Sequence, residues 1–308
     1  MAKSNFPAIL ITGATGNVGR ELTKLLSARR VSYRAMIRSG KGAQGFPSFE
    51  GAEVAVGDFE DARSLARAFE GVERVFLLTN SSERAEIQQC TLVEAAGHAG
   101  VKHIVKLSQW AASAESPVRF LRYHAAVERK IRESAMAYTF LRPNLFMQGL
   151  LAFREAIVGQ GRFFAAVGDA RISAVDVRDV ASAAAAALLE KGHEGHIYDL
   201  TGPEALSHGD MARGLSQATG RPIEFVDIPP ESMRQTLLQV GLPVWQAEGL
   251  VEDYAHYARG EAAEIATGVQ DATGRPPLLR RFCGGLRAGV FRAGVPEEVG
   301  GGREIVHS

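Results

Sequence analysis

The chain is poor in the residues that build cross-linked or metal-bound scaffolds. Its 308 residues include two cysteines, Cys90 and Cys283, far apart and without a CxxC or a His/Cys cluster at ligand spacing. That excludes a disulfide framework and a zinc site, so no metal is expected and a reducing, cytoplasmic setting is the simplest one. Net charge is lacking too, since 35 Lys and Arg balance 35 Asp and Glu. Without a basic excess, neither nucleic acid nor an anionic membrane is an expected partner. No run reaches the roughly 18 apolar residues of a membrane span. The opening MAKSNFPAILIT has no long apolar stretch with a cleavage site, so no export is expected. Internal repeats and long linkers are also missing.

What is present is a core: 46% of the residues are hydrophobic, enough at this length for a substantial buried interior. Short apolar runs, AILIT (8–12), SYRAMI (32–37), AEVAVG (52–57), RVFLLT (74–79), HIVKLS (103–108) and AYTFLR (137–142), alternate with longer stretches of helical period such as NVGRELTKLLSARR and VRFLRYHAAVERKIRESA. Strands that are apolar throughout, separated by amphipathic helices, predict a parallel sheet covered on both faces, the doubly wound α/β arrangement.

The first strand runs into GATGNVG, in which Gly13, Gly16 and Gly19 form GxxGxxG at a strand-to-helix junction. Glycine there permits a tight turn and lets the backbone approach a pyrophosphate at the helix N-terminus. A plain tight turn is the alternative; the strand before and the helix after favour a Rossmann-type dinucleotide site, with Thr15, Asn17 and Val18 in the same turn. The second strand ends RAMIRSGKG, placing Arg38, followed by Lys41, where a NAD site carries a carboxylate. A guanidinium suits a 2′-phosphate, so NADPH is expected over NADH. Asp58 and Phe59, in VGDFED, follow the third strand; Asp58 is read either as an adenine neighbour or as a turn or N-cap aspartate. Thr79 and Asn80 follow the fourth strand and are expected along the ribose and pyrophosphate.

Taken together, TGATGNVG, RAMIRS, VGDFED, VKHIVKLSQWAA, HAAVERKIRESAMAYTFLRPNLFMQ and ISAVDVRDVASAAAAAL resemble the NmrA-like branch of the atypical short-chain dehydrogenases/reductases. Within it the likeness is strongest to bacterial NAD(P)H:quinone oxidoreductases and triphenylmethane reductases, and it runs from about Ala8 to 272–277. The resemblance implies an NADPH-binding domain over 1–150, to which later segments return, and a small C-terminal α/β substrate-binding lobe over 151–277. It also implies Pro143, Asn144 and Phe146 near the nicotinamide. It leaves two activities open: a hydride-transferring reductase, or a regulator that binds the nucleotide without turnover.

One departure narrows the chemistry. The Tyr-x-x-x-Lys pair typical of short-chain dehydrogenases is missing, because Val127 stands four residues after Tyr123. In its place is His124-x-x-x-Glu128, which shares a helical face, so the carboxylate is expected to orient or charge the imidazole; a plain surface pair is the alternative. Ser108 matches the family's strand-end serine, and Lys130 stands two residues beyond Glu128. Ser108, His124, Lys130 and Asn144 are the catalytic candidates. Trp110, Tyr123, Phe146 and Met147 are expected to wall a pocket for an aromatic or quinone-like small molecule.

Further on, ISAV is read as a strand entering an alanine-rich helix, and HIYDL through EFVDIP as strand, helix, strand. The stretch from Ser232 to Gly260 is helical by period with a break at Gly241 and Pro243, and its Trp245 and Tyr254 face either pocket or core. Residues 278–308 carry glycine at 284, 285, 289, 294, 300, 301 and 302 and are expected to form a loosely held tail. Two accounts of that tail stand: a lost reading frame near codon 278, or a basic tail contacting a partner subunit. A monomer or a homodimer is expected.

Overall fold

The computed structural model describes residues 8–38 and 51–278; Lys41 and the tail from 279 onward lie outside them. Seven strands form one sheet in the order β3 (Ala52–Val56), β2 (Tyr33–Ile37), β1 (Ile9–Ile11), β4 (Arg74–Leu77), β5 (His103–Leu107), β6 (Ala137–Pro143) and β8 (Ile197–Leu200), every neighbouring pair parallel. The chain walks outward from β1 to β3 and then returns to start again at β4. That reversal opens a crevice beyond the carboxyl ends of β1 and β4, the place where open α/β sheets take their ligands.

The period of two along each strand decides which layer covers which residue. Ile9, Ile11, Val105 and Leu107 face α1 (Asn17–Ala28), α6 (Val177–Leu189) and α10 (Gly268–Thr273) in one core. Leu10, Val75 and Ile104 face α2 (Ala62–Ala68), α3 (Ala85–His98) and α4 (Arg119–Arg132) in the other. Alternation therefore turns Lys106 into the second layer, where it is fully buried. Ala183, Ala184, Ala185 and Ala187 of α6 are completely buried, and their small side chains let α6 lie close against α1 and the sheet.

A smaller lobe packs around a two-stranded parallel sheet of β7 (Arg162–Ala165) and β9 (Glu224–Asp227), with a 3-10 helix (Met147–Phe153), α5 (Arg154–Gln160), α7 (His208–Thr219), α8 (Pro230–Gln239) and α9 (Val244–Ala258). The break between α8 and α9 falls at Gly241, whose φ is +88°, with Pro243 as the N-cap of α9. The strand expected at ISAV is corrected: the segment makes only isolated bridges, Ile172 with Leu206 and Val175 with Phe146, before Asp176 caps α6. Among the described residues no helix is long and apolar enough to cross a membrane.

Candidate active site

The glycine turn has the geometry its spacing implies. Gly13 adopts φ +61°, and a Cβ there would lie 2.7 Å from Leu78 Cγ and 2.9 Å from the Leu78 carbonyl. A Cβ on Gly19 would lie 2.2 Å from the Gly13 carbonyl, so α1 packs directly on the turn. Gly16 caps α1 without a side-chain bond, and no acidic residue occupies the first turn. The first-turn amides therefore have no helical acceptor and present positive potential. Thr12 ties the floor together, its Oγ1 donating to the Leu78 carbonyl and accepting from the Leu78 amide, both at 2.8 Å.

From this turn a groove of about 760 Å³ runs along the switch point, lined by Gly13, Thr15, Arg38, Phe59, Thr79 and Asn80 and closed on the far side by Pro243 and Trp245 of the lobe. The exposed Asn17 opens α1 beside the turn. Two expectations change. Val18 is buried in the core, so its side chain faces away from the groove. Asp58 is not a groove-lining residue: its carboxylate accepts from the Glu60 amide in a turn, and Asp61 is the cap of α2. A glycine turn with a close backbone approach, free helix amides and a guanidinium on the same groove fit a dinucleotide phosphate chain.

Leu78, Thr79 and Ser81 also line a second, tighter cavity of about 240 Å³ between sheet and lobe. Trp110, Tyr123, Pro143 and Phe146 supply its flat walls, and Ser108 and His124 its polar edge. Asp253 and His256 reach in from α9. Trp110 is fixed by its Nε1 donating to the Glu261 carbonyl at 3.2 Å. The Tyr123 hydroxyl shares a 3.0 Å hydrogen bond with Ser81, and burial pushes the phenol up to about 12, so it stays protonated.

Beneath the cavity lie two hydrogen-bonded groups rather than the expected His124–Glu128 pair. Glu128, almost fully buried, accepts from Ser108 Oγ at 2.6 Å and from Arg142 Nε and Nη2 at 2.9 and 2.6 Å, with Arg132 at 3.3 Å. His124 turns instead to the strand below, its Nδ1 lying 2.9 Å from Lys106 Nζ. Lys106 also donates to Gln89 Oε1 at 2.9 Å and to the Leu107 carbonyl at 3.0 Å. Burial lowers Lys106 to about 7 against the opposing pull of Glu128. Burial, then the Lys106 and Arg142 charges, hold His124 well below the usual imidazole range.

Two candidates, Lys130 and Met147, lie away from the cavity. Lys130 points away and pairs with Glu94 at 2.7 Å on the outer surface of α3 and α4. Asn144 lines the cavity beside Pro143 and Phe146, as expected, with its amide bonded within the fold: its Nδ2 donates to Ser173 Oγ and the Ala262 carbonyl, both at 2.9 Å, and its Oδ1 accepts from the Leu145 amide at 2.8 Å. Met147 belongs to the buried interior of the lobe, not to the cavity wall. Of the pair left open on α9, Trp245 lines the groove, whereas Tyr254 packs on His208 and Tyr257.

Sequence reasoning missed Lys106, Gln89, Arg142, Asp253 and His256. Burial raises the Asp253 carboxyl to about 7, while it accepts from Gln109 at 3.0 Å and from the Tyr257 hydroxyl at 2.8 Å. His256 is held through Nδ1 by Glu261, and its Nε2 is buried without a partner among the described residues. Lys106 did leave a signal, a lysine between Val105 and Leu107 in a run otherwise suited to burial.

Known proteins are similar to this chain in sequence and in fold. Residues 7–272 match the NmrA-like family. An NAD(P)H azoreductase of Xenophilus azovorans is 36% identical over 268 residues, covering 87% of this chain and 93% of that protein. The crystal structure of an NADPH-dependent quinone oxidoreductase of Escherichia coli complexed with NADPH superposes with a TM-score of 0.80 at 28% identity, covering 92% of this chain and 99% of the other. That of a Citrobacter triphenylmethane reductase complexed with NADP(H) gives 0.78 at 27%, covering 90% and 99%. The chain thus belongs to the NmrA-like family, among its NAD(P)H-dependent oxidoreductases.

Proposed function

We propose that this protein reduces a quinone or a similarly flat electrophile with NADPH, in preference to NADH. The observation that carries the reading is the continuity of groove and cavity through Leu78, Thr79 and Ser81. One end has the glycine turn and Arg38; the other has aromatic walls with two hydrogen-bonding side chains at their edge. Bound along the groove, NADPH would supply the hydride.

The residues divide the work. Gly13, Thr15, Gly16, Asn17 and Gly19 hold the pyrophosphate by backbone approach and helix amides. Arg38 would grip the 2′-phosphate, Phe59 would flank the adenine, and Thr79, Asn80 and Pro143 would hold the nicotinamide end. Trp110, Tyr123 and Phe146 align the acceptor and exclude water, which is most of what hydride transfer requires of a protein once the reacting atoms are about 3–3.5 Å apart. His124 faces the acceptor's oxygen or nitrogen, beside Ser108, whose own proton is held by Glu128. A quinone tolerates such a weak proton donor, because its reduced oxygen carries negative charge readily. A cytoplasmic NADPH pool is the setting this assigns.

The test is NADPH oxidation followed at 340 nm with a panel of quinones and azo compounds, beside fluorescence titrations of NADPH and NADH. Turnover with tighter NADPH binding is expected. Tight binding with no turnover across the panel would replace the reductase by a nucleotide-sensing regulator.

A further inference from the structure

An ammonium group has only protons to donate, and a ring nitrogen that meets one must be an acceptor. Lys106 Nζ lies 2.9 Å from Gln89 Oε1, 3.0 Å from the Leu107 carbonyl and 2.9 Å from His124 Nδ1. Gln89 is held in that orientation because its Nε2 donates to Thr79 Oγ1 at 2.7 Å. Two of the three partners are oxygens that can only accept, so with Lys106 charged the third proton goes to Nδ1. The neutral ring then carries its own proton on Nε2. That nitrogen makes no hydrogen bond among the described residues, and His124 lines the cavity.

We propose that Lys106 is the positioning residue that fixes His124 as a neutral imidazole donating Nε2–H to the acceptor atom of the substrate, and that Lys106 replaces the proton His124 gives up. The inference rests on the reductase reading for its second half only. NADPH bound along the groove would supply a hydride, whose two electrons would leave negative charge on the quinone oxygen. The Nε2–H bond breaks and an O–H bond forms, while a proton passes from Lys106 Nζ to Nδ1. The products are the hydroquinone, a ring protonated on Nδ1 and a neutral amine. The Lys106–His124 hydrogen bond survives with its direction reversed, so no buried group is left unsatisfied. After product release, water in the cavity protonates Nε2 and the Nδ1 proton returns to Lys106.

The surroundings suit a proton that must leave and come back. Lys106 is completely buried and titrates near neutrality, and His124 resists protonation. The groups facing the pair are Gln89 and Cys90 from α3, Tyr123 and Glu128 from α4, Ser108 beyond β5 and Arg142 from β6, with Asp253 and His256 across the cavity. Glu128 is already tied to Arg142 and Ser108, and the Tyr123 ring rests on His124 with centroids 4.2 Å apart.

Nitrogen-15 NMR of the histidine side chains reads the first half without turnover. In the wild-type protein at pH 6, His124 should show a bare Nδ1 and a protonated Nε2, shifting toward the opposite tautomer as pH rises through about 7. Lys106→Met should abolish that pH-dependent shift. Kinetics read the second half: wild-type kcat should fall above about pH 7 as Lys106 loses its proton. Lys106→Met should lower kcat about 100-fold with little change in KM and without that inflection. A wild-type His124 protonated on Nδ1 at pH 6 would overturn the proposal, as would a Lys106→Met protein that keeps the wild-type pH profile. Should Lys106→Met not fold, the wild-type spectrum alone still decides the tautomer. If no acceptor is turned over, the reductase reading and the proton-supply step both fall, while the NMR result continues to decide the positioning role.

Discussion

Arg142 holds Glu128 through two hydrogen bonds, Nε to Oε1 at 2.9 Å and Nη2 to Oε2 at 2.6 Å, and this clamp anchors α4 to the end of β6 under the cavity. Glu128 is 1% exposed, so losing the guanidinium strands a buried carboxylate. Arg142→Met should destabilise the protein by about 3 kcal/mol, with Arg132 moderating a loss that otherwise runs to about 5. Glu128→Gln keeps the shape and should cost less. Urea unfolding of both variants checks the order; a harmless Arg142→Met would show that the clamp contributes nothing to stability.

Arg38 is exposed on the groove wall. If it grips the 2′-phosphate, Arg38→Glu should weaken NADPH binding by at least tenfold, the equivalent of one charge-assisted hydrogen bond of about 1.5 kcal/mol or more. NADH, lacking that phosphate, should bind as before. Paired fluorescence titrations settle the matter, and equal losses for the two nucleotides would move the selectivity to another residue.

Gly19 offers a purely steric test. A methyl group there would meet the Gly13 carbonyl at 2.2 Å and the Ala14 Cα at 2.7 Å, both backbone atoms with little freedom to move. Gly19→Ala should therefore push the turn away from α1 and weaken NADPH and NADH alike. A Gly149→Ala control has open space around its Cβ and should bind both normally. Retained affinity in Gly19→Ala would mean that the turn tolerates displacement.

The central sheet was legible because β1, β2, β4, β5 and β6 are largely buried on both faces, and such strands are written as predominantly apolar runs. The lobe was less so: β7 has four residues, too few for periodicity to register, and the ISAV segment has strand-like composition but only single bridges. In the site, spacing along α4 correctly put His124 and Glu128 on one face of the helix. What it could not reveal is which strand residue lies under each. Lys106 sits beneath one and Ser108 beneath the other, so neighbours on the helix are separated in their chemistry. Asn144 was legible in its place and not in its bonds: the residue lines the cavity, but a polar residue after a strand reads the same whether its amide meets a ligand or, as here, the Ala262 carbonyl.

The buried Asp253 makes stability depend on pH in a direction opposite to that of a salt-bridged carboxylate. Its folded-state pKa is raised to about 7 by burial, above an unfolded value of about 3.9, so between those values the folded state binds more protons than the unfolded one. Stability should fall as pH rises from about 4 through about 7 and then level off, with a total loss on the order of 4 kcal/mol from this group. Asp253→Asn keeps an oxygen for the Tyr257 hydroxyl and cannot ionise. It should flatten that slope and be more stable than the wild type at pH 8, though not at pH 4. Thermal unfolding of both proteins across pH 4–8 measures this; parallel curves would mean that Asp253 finds a countercharge or water in the folded protein and ionises without penalty.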